Sequence, residues 1–349
     1  MKRLSFRSWV SIITLLFIAI ILFFSRHELE RAWALLADVD LWVLALVLPV
    51  VAVGYLAAGE MVFSYLRQKR VIDHVSIWTQ MRISLELNFV NHVLPSGGVS
   101  GISYMNWRLG KYGVRSGKAT MAQAVRYVVG FAAMITLLVV AVLLVTIDGN
   151  LNRWIILMSS TLVGVMFAIT VLGMYLMKNR SRMKRFARVL SRVGNTMLST
   201  ITFGRIPHFI TAAVIEEFLY EMQDDYEELT NDTKLLIKPY LWGLFFTATE
   251  ITIFTIVFWA LGSPINPAPI IIAYGLASLA GLIVVTPGGT GAYEAVMVLV
   301  LAFAGVPNGQ AIAGILLTRM IILFVTIVGG YVFYQLAILK YGKQPPANI

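Results

Sequence analysis

The sequence predicts an all-α integral membrane protein with about six full transmembrane helices and two re-entrant hairpins, arranged as inverted repeats. Three observations carry this expectation. Of the 349 residues, 58% are hydrophobic and 13% charged, and the mean hydropathy is +0.79, far from the usage of soluble domains. The apolar runs reach the roughly 20 residues that a membrane-crossing helix needs. They are also continuous, where the strands of a membrane β-barrel would alternate. Third, one short phrase occurs twice. Pro95-Ser96-Gly97-Gly98, Gly113-Val114 and Arg126 are echoed by Pro287-Gly288-Gly289, Gly305-Val306 and Arg319, at offsets of 191, 192 and 193 residues. Two halves each broken near the middle by Pro and Gly are a sequence-level mark of transporter cores.

The full spans are expected at Trp9–Phe24, Leu41–Leu66, Met121–Ile147, Trp154–Met177, Tyr240–Leu261 and Gln310–Leu339. The first follows Lys2, Arg3 and Arg7 as a signal peptide's apolar region would. Ser25-Arg26-His27-Glu28 offers no small-x-small cleavage site, so an uncleaved span is expected. Between the second and third spans lies Ser76–Leu94, apolar but carrying Arg82, Glu86, Asn88, Asn91 and His92, then the first Pro/Gly break and a short arm to Trp107. The second half matches it with Ala268–Thr286, a break, and an arm from Ala292 to Ala304. That arm is about 20 Å long as helix, too short for a core of about 30 Å. Each region therefore reads as a re-entrant hairpin whose tip is buried in protein or lines a wet cavity.

Charge placement agrees with the hairpins. Lys2, Arg3 and Arg7, then Arg67, Lys69 and Arg70, then Arg108, Lys111, Arg115 and Lys118, and finally Lys340 and Lys343 all fall on one side. By the positive-inside rule that side is the cytoplasm, so both termini are expected there and the hairpins enter from opposite faces. The chain is expected to be one transmembrane domain over 1–349, with repeats at about 41–147 and 239–340. A cytoplasmic amphipathic linker joins them at about 178–238. Lys178 to Arg192 holds seven Lys or Arg and no acid, whereas Glu216 to Glu228 is acidic. The net charge of +10 sits at span ends and not on a soluble face, so nucleic acid is not expected as a partner.

Catalysis finds little support. The chain has no cysteine, and His27, His74, His92 and His208 are scattered with no metal-binding spacing and no Walker A phrase. No catalytic residue, metal or cofactor is expected. Ionisable groups inside a membrane cost about 2.5–3.5 kcal/mol each on insertion scales and default to functional candidates. Arg126 and Arg319 recur in equivalent places, and Glu294 follows the second break. Arg82, Glu86, His92 and Glu250 are secondary candidates, with Arg82 and Glu86 spaced to pair on one helix face. Glu60 matches Glu250 at an offset of 190. Glycines beside proline leave backbone amides open to an anion at a half-helix start. Pro95, Gly97 and Gly98 with Pro287, Gly288, Gly289 and Gly291 therefore complete a substrate-binding set for a group such as phosphate.

The stretch Val285-Thr286-Pro287-Gly288-Gly289-Thr290-Gly291-Ala292-Tyr293-Glu294-Ala295, with Gly305-Val306 and Leu317-Thr318-Arg319, resembles the lysylphosphatidylglycerol synthase transmembrane family over about Leu41 to Tyr341. The resemblance implies a flippase-like lipid translocase module in a prokaryotic cytoplasmic membrane, found alone or fused to a soluble aminoacyl-transferase. Only about ten residues follow the last span, so the module is expected without that transferase. Ile102 and Ser103 stand where many members carry an acid. The expected ligands are membrane lipids with anionic head groups. A non-transporting accessory or scaffold subunit is the alternative, and a homo-oligomer or a membrane transferase partner stays open.

Overall fold

The computed structural model describes residues 39–72, 75–93, 99–147, 153–179, 181–186, 188–189, 191–192, 232–283 and 291–342. Among them every regular element is helical. Helix α1, Leu41–Gln68, is a short piece, Leu41–Ala45, continued by Val47–Gln68. It is followed by α2 Ile77–Val93, α3 Val99–Gly110, α4 Ser116–Ile147 and α5 Arg153–Met177. After the linker come α6 Ile237–Ala260, α7 Pro267–Ile283, α8 Ala292–Phe303 and α9 Asn308–Tyr341. Four helical stretches, Leu41–Gln68, Ser116–Leu144, Thr233–Ala260 and Asn308–Tyr341, are long and apolar enough to cross a membrane. The expected span Trp9–Phe24 and most of the linker lie outside the described residues.

Helices α1–α4 and α6–α9 are two copies of one pattern, down to the length of each short arm. Helices α2 and α7 have 17 residues each, and α3 and α8 have 12 each. The 12-residue arms are about 18 Å long, too short to cross the hydrocarbon core. Element ends repeat as well. Asp40 caps the first helix by accepting from Trp42 N–H at 2.9 Å, and Asp232 does the same for Lys234 N–H at 3.2 Å. The repeated Gly-Val phrase is a helix stop. Gly113 and Gly305 take left-handed φ of 79° and 86°. Val114 and Val306 then donate back to the carbonyls of Leu109 and Leu301 at 3.2 and 3.0 Å, and both valines are buried. This is the glycine-terminated helix end with its apolar latch.

The same register corrects one sequence expectation. Asp40 and Asp232, like Arg70 and Gly262 at the left-handed residues after α1 and α6, are offset by 192. Glu250 therefore corresponds to Ala58, and Glu60 has no acidic counterpart. Glu60 pairs with Arg67 one helical stretch away, which occupies its charge.

Helices α1 and α6 run antiparallel and close together. The Asp40 N–H donates to Ala260 O at 3.0 Å, and a Cβ on Gly54 would stand 3.1 Å from Thr249 Oγ1. Each hairpin packs on the other repeat. Gly330 of α9 brings its backbone so near α2 that a Cβ would lie 2.5 Å from Phe89 Cβ. In the same manner α7 joins α4 in one core containing Ile270, Ala273, Ala277, Met134 and Leu138.

The hairpins are braced differently. In the first, Glu86 accepts from Arg108 Nε at 2.7 Å and from Tyr104 Oη at 2.8 Å, and both charges are fully buried. The sequence placed Arg108 among the basic residues of a loop; it turns inward to pair with Glu86, a carboxylate that needs a cationic partner in an apolar core. Counted from the helix starts, the second hairpin has Leu276, Met297 and Leu301 at these positions, and counted from the shared helix ends it has Val296 and Val300 in place of Tyr104 and Arg108; all are apolar and packed in the core. We expect Glu86→Gln to destabilise the protein by about 3–5 kcal/mol, the usual cost of orphaning one buried charge. The double change Glu86→Leu with Arg108→Leu, which copies the second hairpin, is expected to recover most of that loss. Thermal unfolding in detergent checks both; equal melting of wild type and Glu86→Gln would show that the pair does not brace the hairpin.

Candidate functional site

Where the repeats meet, the structure encloses a chamber of about 230 Å³. Its walls come in repeat-related pairs: Gly54 with Phe246, Ala58 with Glu250, Ser84 with Tyr274, Asn88 with Ser278, and Arg126 with Arg319. The helix pairs are offset by 192 for α1 and α6, 190 for α2 and α7, and 192 for α4 and α9 at their starts, so the two arginines, 193 apart, stand one position out of strict register. A cavity bounded by such pairs lies on the axis relating the two repeats. That is where inverted-repeat transporters place substrate.

The polar lining is unusual for the interior of a membrane protein. Tyr55 Oη and Thr326 Oγ1 share a 2.8 Å hydrogen bond, and Asn88 Nδ2 donates to Tyr55 Oη at 3.3 Å. This chain ties α1, α2 and α9 at the chamber wall. His92 Nδ1 lies 2.9 Å from Asn88 O, within its own helix. His92 thus faces the chamber with one ring nitrogen already engaged.

The two arginines differ. Arg319 Nε lies 2.8 Å from Glu294 Oε1, and its guanidinium stands 4.6 Å from the centre of the Tyr293 ring. Glu294 also accepts from the Gly291 N–H at 2.6 Å through its other oxygen. It sits in the first turn of α8, where a carboxylate complements the helix dipole. One side chain therefore caps α8, neutralises Arg319 and holds the second hairpin against α9. In the first repeat the position equivalent to Glu294 is Gly101 counted from the starts of α3 and α8, or Ile102 counted back from their shared Leu109/Leu301 ends, and the carboxamide of Asn91 fills the space over Gly101. No carboxylate stands there, and among the described residues Arg126 has no ion-pair partner. Glu250 shares the chamber and feels the charge of Arg319 across it.

Of the sequence-derived candidates, the structure brings together Arg126, Arg319, His92 and Glu250 at the chamber, with Glu294 and Gly291 just behind Arg319. Pro95, Gly97, Gly98, Pro287, Gly288 and Gly289 lie outside the described residues. Glu86 is elsewhere, committed to Arg108 and Tyr104. Arg82 approaches Glu86 only at 4.0 Å and lies over the Phe333 ring at 5.0 Å, so the expected helix-face pair is secondary to the buried one. Tyr55, Thr326, Ser84, Ser278, Tyr274 and Tyr293 were not singled out from the sequence. Ser84 with Tyr274 and Asn88 with Ser278 could have been found by carrying the repeat offset along α2 and α7.

Among the described residues no group of three or more His, Asp or Glu could hold a metal ion. The arrangement suits binding: cationic donors and hydroxyls around a small cavity.

A helical bundle of two repeats, with four helices long and apolar enough to cross a membrane, defines an all-α integral membrane protein. The chain belongs to the family described as the lysylphosphatidylglycerol synthase TM region, whose match covers residues 9–330. It is also similar to a UPF0104 membrane protein of Methanothermobacter thermautotrophicus, 24% identical over 237 residues, covering 66% of this chain and 67% of that one. No solved structure matches it.

The double role of Glu294 is separable by substitution. Glu294→Gln keeps a side-chain acceptor for Gly291 N–H and loses the charge; Glu294→Ala loses both. We expect the alanine variant to be less stable than the glutamine variant by about 1 kcal/mol, the worth of a helix cap. Melting curves that do not separate the two would show that the Gly291 contact contributes nothing.

Proposed function

We propose that this protein is a lipid translocase of a prokaryotic cytoplasmic membrane. It moves a phospholipid or related anionic amphiphile between leaflets and carries out no covalent chemistry. The carrying observation is the chamber on the repeat axis, to which each repeat contributes one arginine while, among the described residues, Arg319 has an ion-pair partner and Arg126 has none. A buried guanidinium without an acid is expensive. A phosphate offers it two parallel charge-assisted hydrogen bonds, so the chamber is poised for that ligand. Membership of a family described by the membrane region of a phospholipid synthase supports a lipid as the source of the phosphate.

A step follows from the contacts. A head group entering at Arg126 also comes within the field of Arg319 and competes with Glu294 for it. Weakening the Glu294–Arg319 pair loosens the second hairpin from α9. The first hairpin, bolted internally by Glu86 and Arg108, keeps its shape. Exposure then alternates through movement of the second hairpin around a fixed site, as the inverted repeat allows. Glu250 balances the chamber's charge when it is empty.

The test is leaflet exchange of fluorescent phosphatidylglycerol in liposomes containing the purified protein. Wild type is expected to exchange lipid rapidly. Arg126→Ala should slow exchange at least ten-fold, about 1.4 kcal/mol, and Arg126→Lys should fall between. Because Arg126 makes no ion pair among the described residues, Arg126→Ala should melt no lower than wild type, the signature of a residue kept for function at a cost in stability. Wild-type protein that exchanges neither anionic nor zwitterionic lipid would overturn translocation and leave the accessory-subunit reading.

A further inference from the structure

We infer that two apolar crevices flanking the chamber are acyl-chain sites, one opening toward each leaflet. The inference rests on the translocase reading only for what occupies the chamber between them. At about 230 Å³ the chamber is below the usual 300–1,000 Å³ of a small-molecule pocket. It can take a head group, but the chains of the same lipid must lie elsewhere.

The first crevice, about 250 Å³, lies between α4, α6 and α7. Its lining includes Gly130, Phe131, Met134 and Leu279, and it shares Arg126, Phe246, Tyr274 and Ser278 with the chamber. The second, about 180 Å³, lies between α9, α1 and α2. Its lining includes Leu48, Ala52, Trp78 and Met81, and it shares Val51 and Tyr55 with the chamber. Under the repeat relation α4, α6 and α7 become α9, α1 and α2, so the crevices are counterparts. Each runs from the polar chamber to the protein's outer surface, where Tyr127 is exposed at one rim and Trp78 and Leu48 at the other. The only charges in their linings are arginines, Arg126 in the first and Arg82 in the second. An apolar slot continuous with a cationic chamber and open to the bilayer matches the anatomy of an anionic lipid.

Their depths differ in a defined sense. Helices α1 and α6 are antiparallel, with Asp40 level with Ala260, Gly54 with Thr249, and Met61 with Gly243. Against this scale the second crevice touches α1 at Leu48, Val51, Ala52 and Tyr55, toward the Asp40 end. The first touches Met61 of α1 and Phe246 and Thr247 of α6, toward the Gln68 end. At 1.5 Å per residue their centres are roughly 10 Å apart along the helices. An axis in the membrane plane relates the repeats, so the crevices fall in opposite halves of the bilayer.

The experiment uses the full-length protein in liposomes containing a phosphatidylglycerol with a diazirine in one acyl chain. Photo-labelling is read by mass spectrometry. Met134 and Met81 should be modified several-fold more than Leu143 and Leu336, which are exposed and line neither crevice. Gly130→Trp should abolish labelling of the first crevice and Ala52→Trp that of the second. Each should also slow exchange at least ten-fold. Both sites have room at the first side-chain atom: Ala52 is exposed, and a Cβ on Gly130 meets only the flexible Met61 Cε, at 3.5 Å. With the protein captured in a single orientation by a terminal tag, each variant's open crevice should label from one leaflet only, opposite leaflets for the two variants.

Labelling at Met134 and Met81 no greater than at the controls, or unchanged by the tryptophans, overturns the acyl-chain sites. Labelling of either open crevice equally from both leaflets overturns the leaflet assignment. Selective labelling that the tryptophans abolish, in a wild type that exchanges no lipid, upholds the acyl-chain sites and rejects translocation.

Discussion

Everything in this structure depends on one requirement of the hydrocarbon solvent: a break in a helix must be seated against protein. Backbone groups released at a break find no water in the bilayer, so a hairpin facing lipid would leave several polar groups unsatisfied. Neither hairpin is covered by its own repeat alone. Helix α2 lies on α9 of the second repeat, closely enough that Gly329 and Gly330 are needed, and α7 lies on α4 of the first. The exchange makes each repeat the support of the helix that leads into the other's break. It also sets the place of the chamber, since two hairpins each crossing to the opposite repeat leave their common space on the axis between them.

On that symmetric frame the charges are distributed asymmetrically, and the asymmetry is chemical. The first hairpin carries a buried ion pair where the second has apolar side chains, so it is held by charge where the other is held by apolar packing. The second hairpin carries Glu294 at the start of its short arm where the first has no acid. A buried ion pair is costly to break because each partner would be left unpaired in a low dielectric. The Glu294–Arg319 pair is different in kind. Its side chains are 14% and 24% exposed, and Arg319 lines the chamber. One hairpin is thus braced by a fully buried pair and the other by a partly exposed one, the difference on which the proposed function draws.

Most of the fold was legible from the chain itself because its signals are local. Apolar run lengths located the helices to within a few residues, and the Gly-Val phrase marked the same turn twice. The doubled Pro/Gly motif identified paired hairpins, although the breaks lie outside the described residues. The site was less legible. Arg126 and Arg319 stood out as charges in apolar runs, but Glu86 carried the same signal and proved to belong to a brace. A lone charge in a span announces that something must satisfy it, not whether that something is a side chain 22 residues away or a ligand. Tyr55, Thr326 and Tyr293 carried no signal because hydroxyls on apolar helices commonly bond their own backbone, as Thr247 and Thr318 do here. What selects Tyr55 is a partner 271 residues distant, which only the packing of α1 on α9 brings close.

The difference between the two arginines also bears on why the repeats have diverged. A symmetric chamber with an acid beside each guanidinium would be neutral and well bound on both sides, and an arriving anion would have to displace both acids. A chamber with none would hold two uncompensated charges at several kcal/mol of insertion cost. One compensated and one open arginine lies between these limits. Under the proposed function, Arg126 supplies the initial attraction, and Arg319 supplies a contact that is gained only as Glu294 gives way. On that proposal binding is coupled to release of the second hairpin, because a ligand shifts a conformational equilibrium only by its difference in affinity for the two states. Sequence divergence between the repeats at Glu294 is what creates that difference.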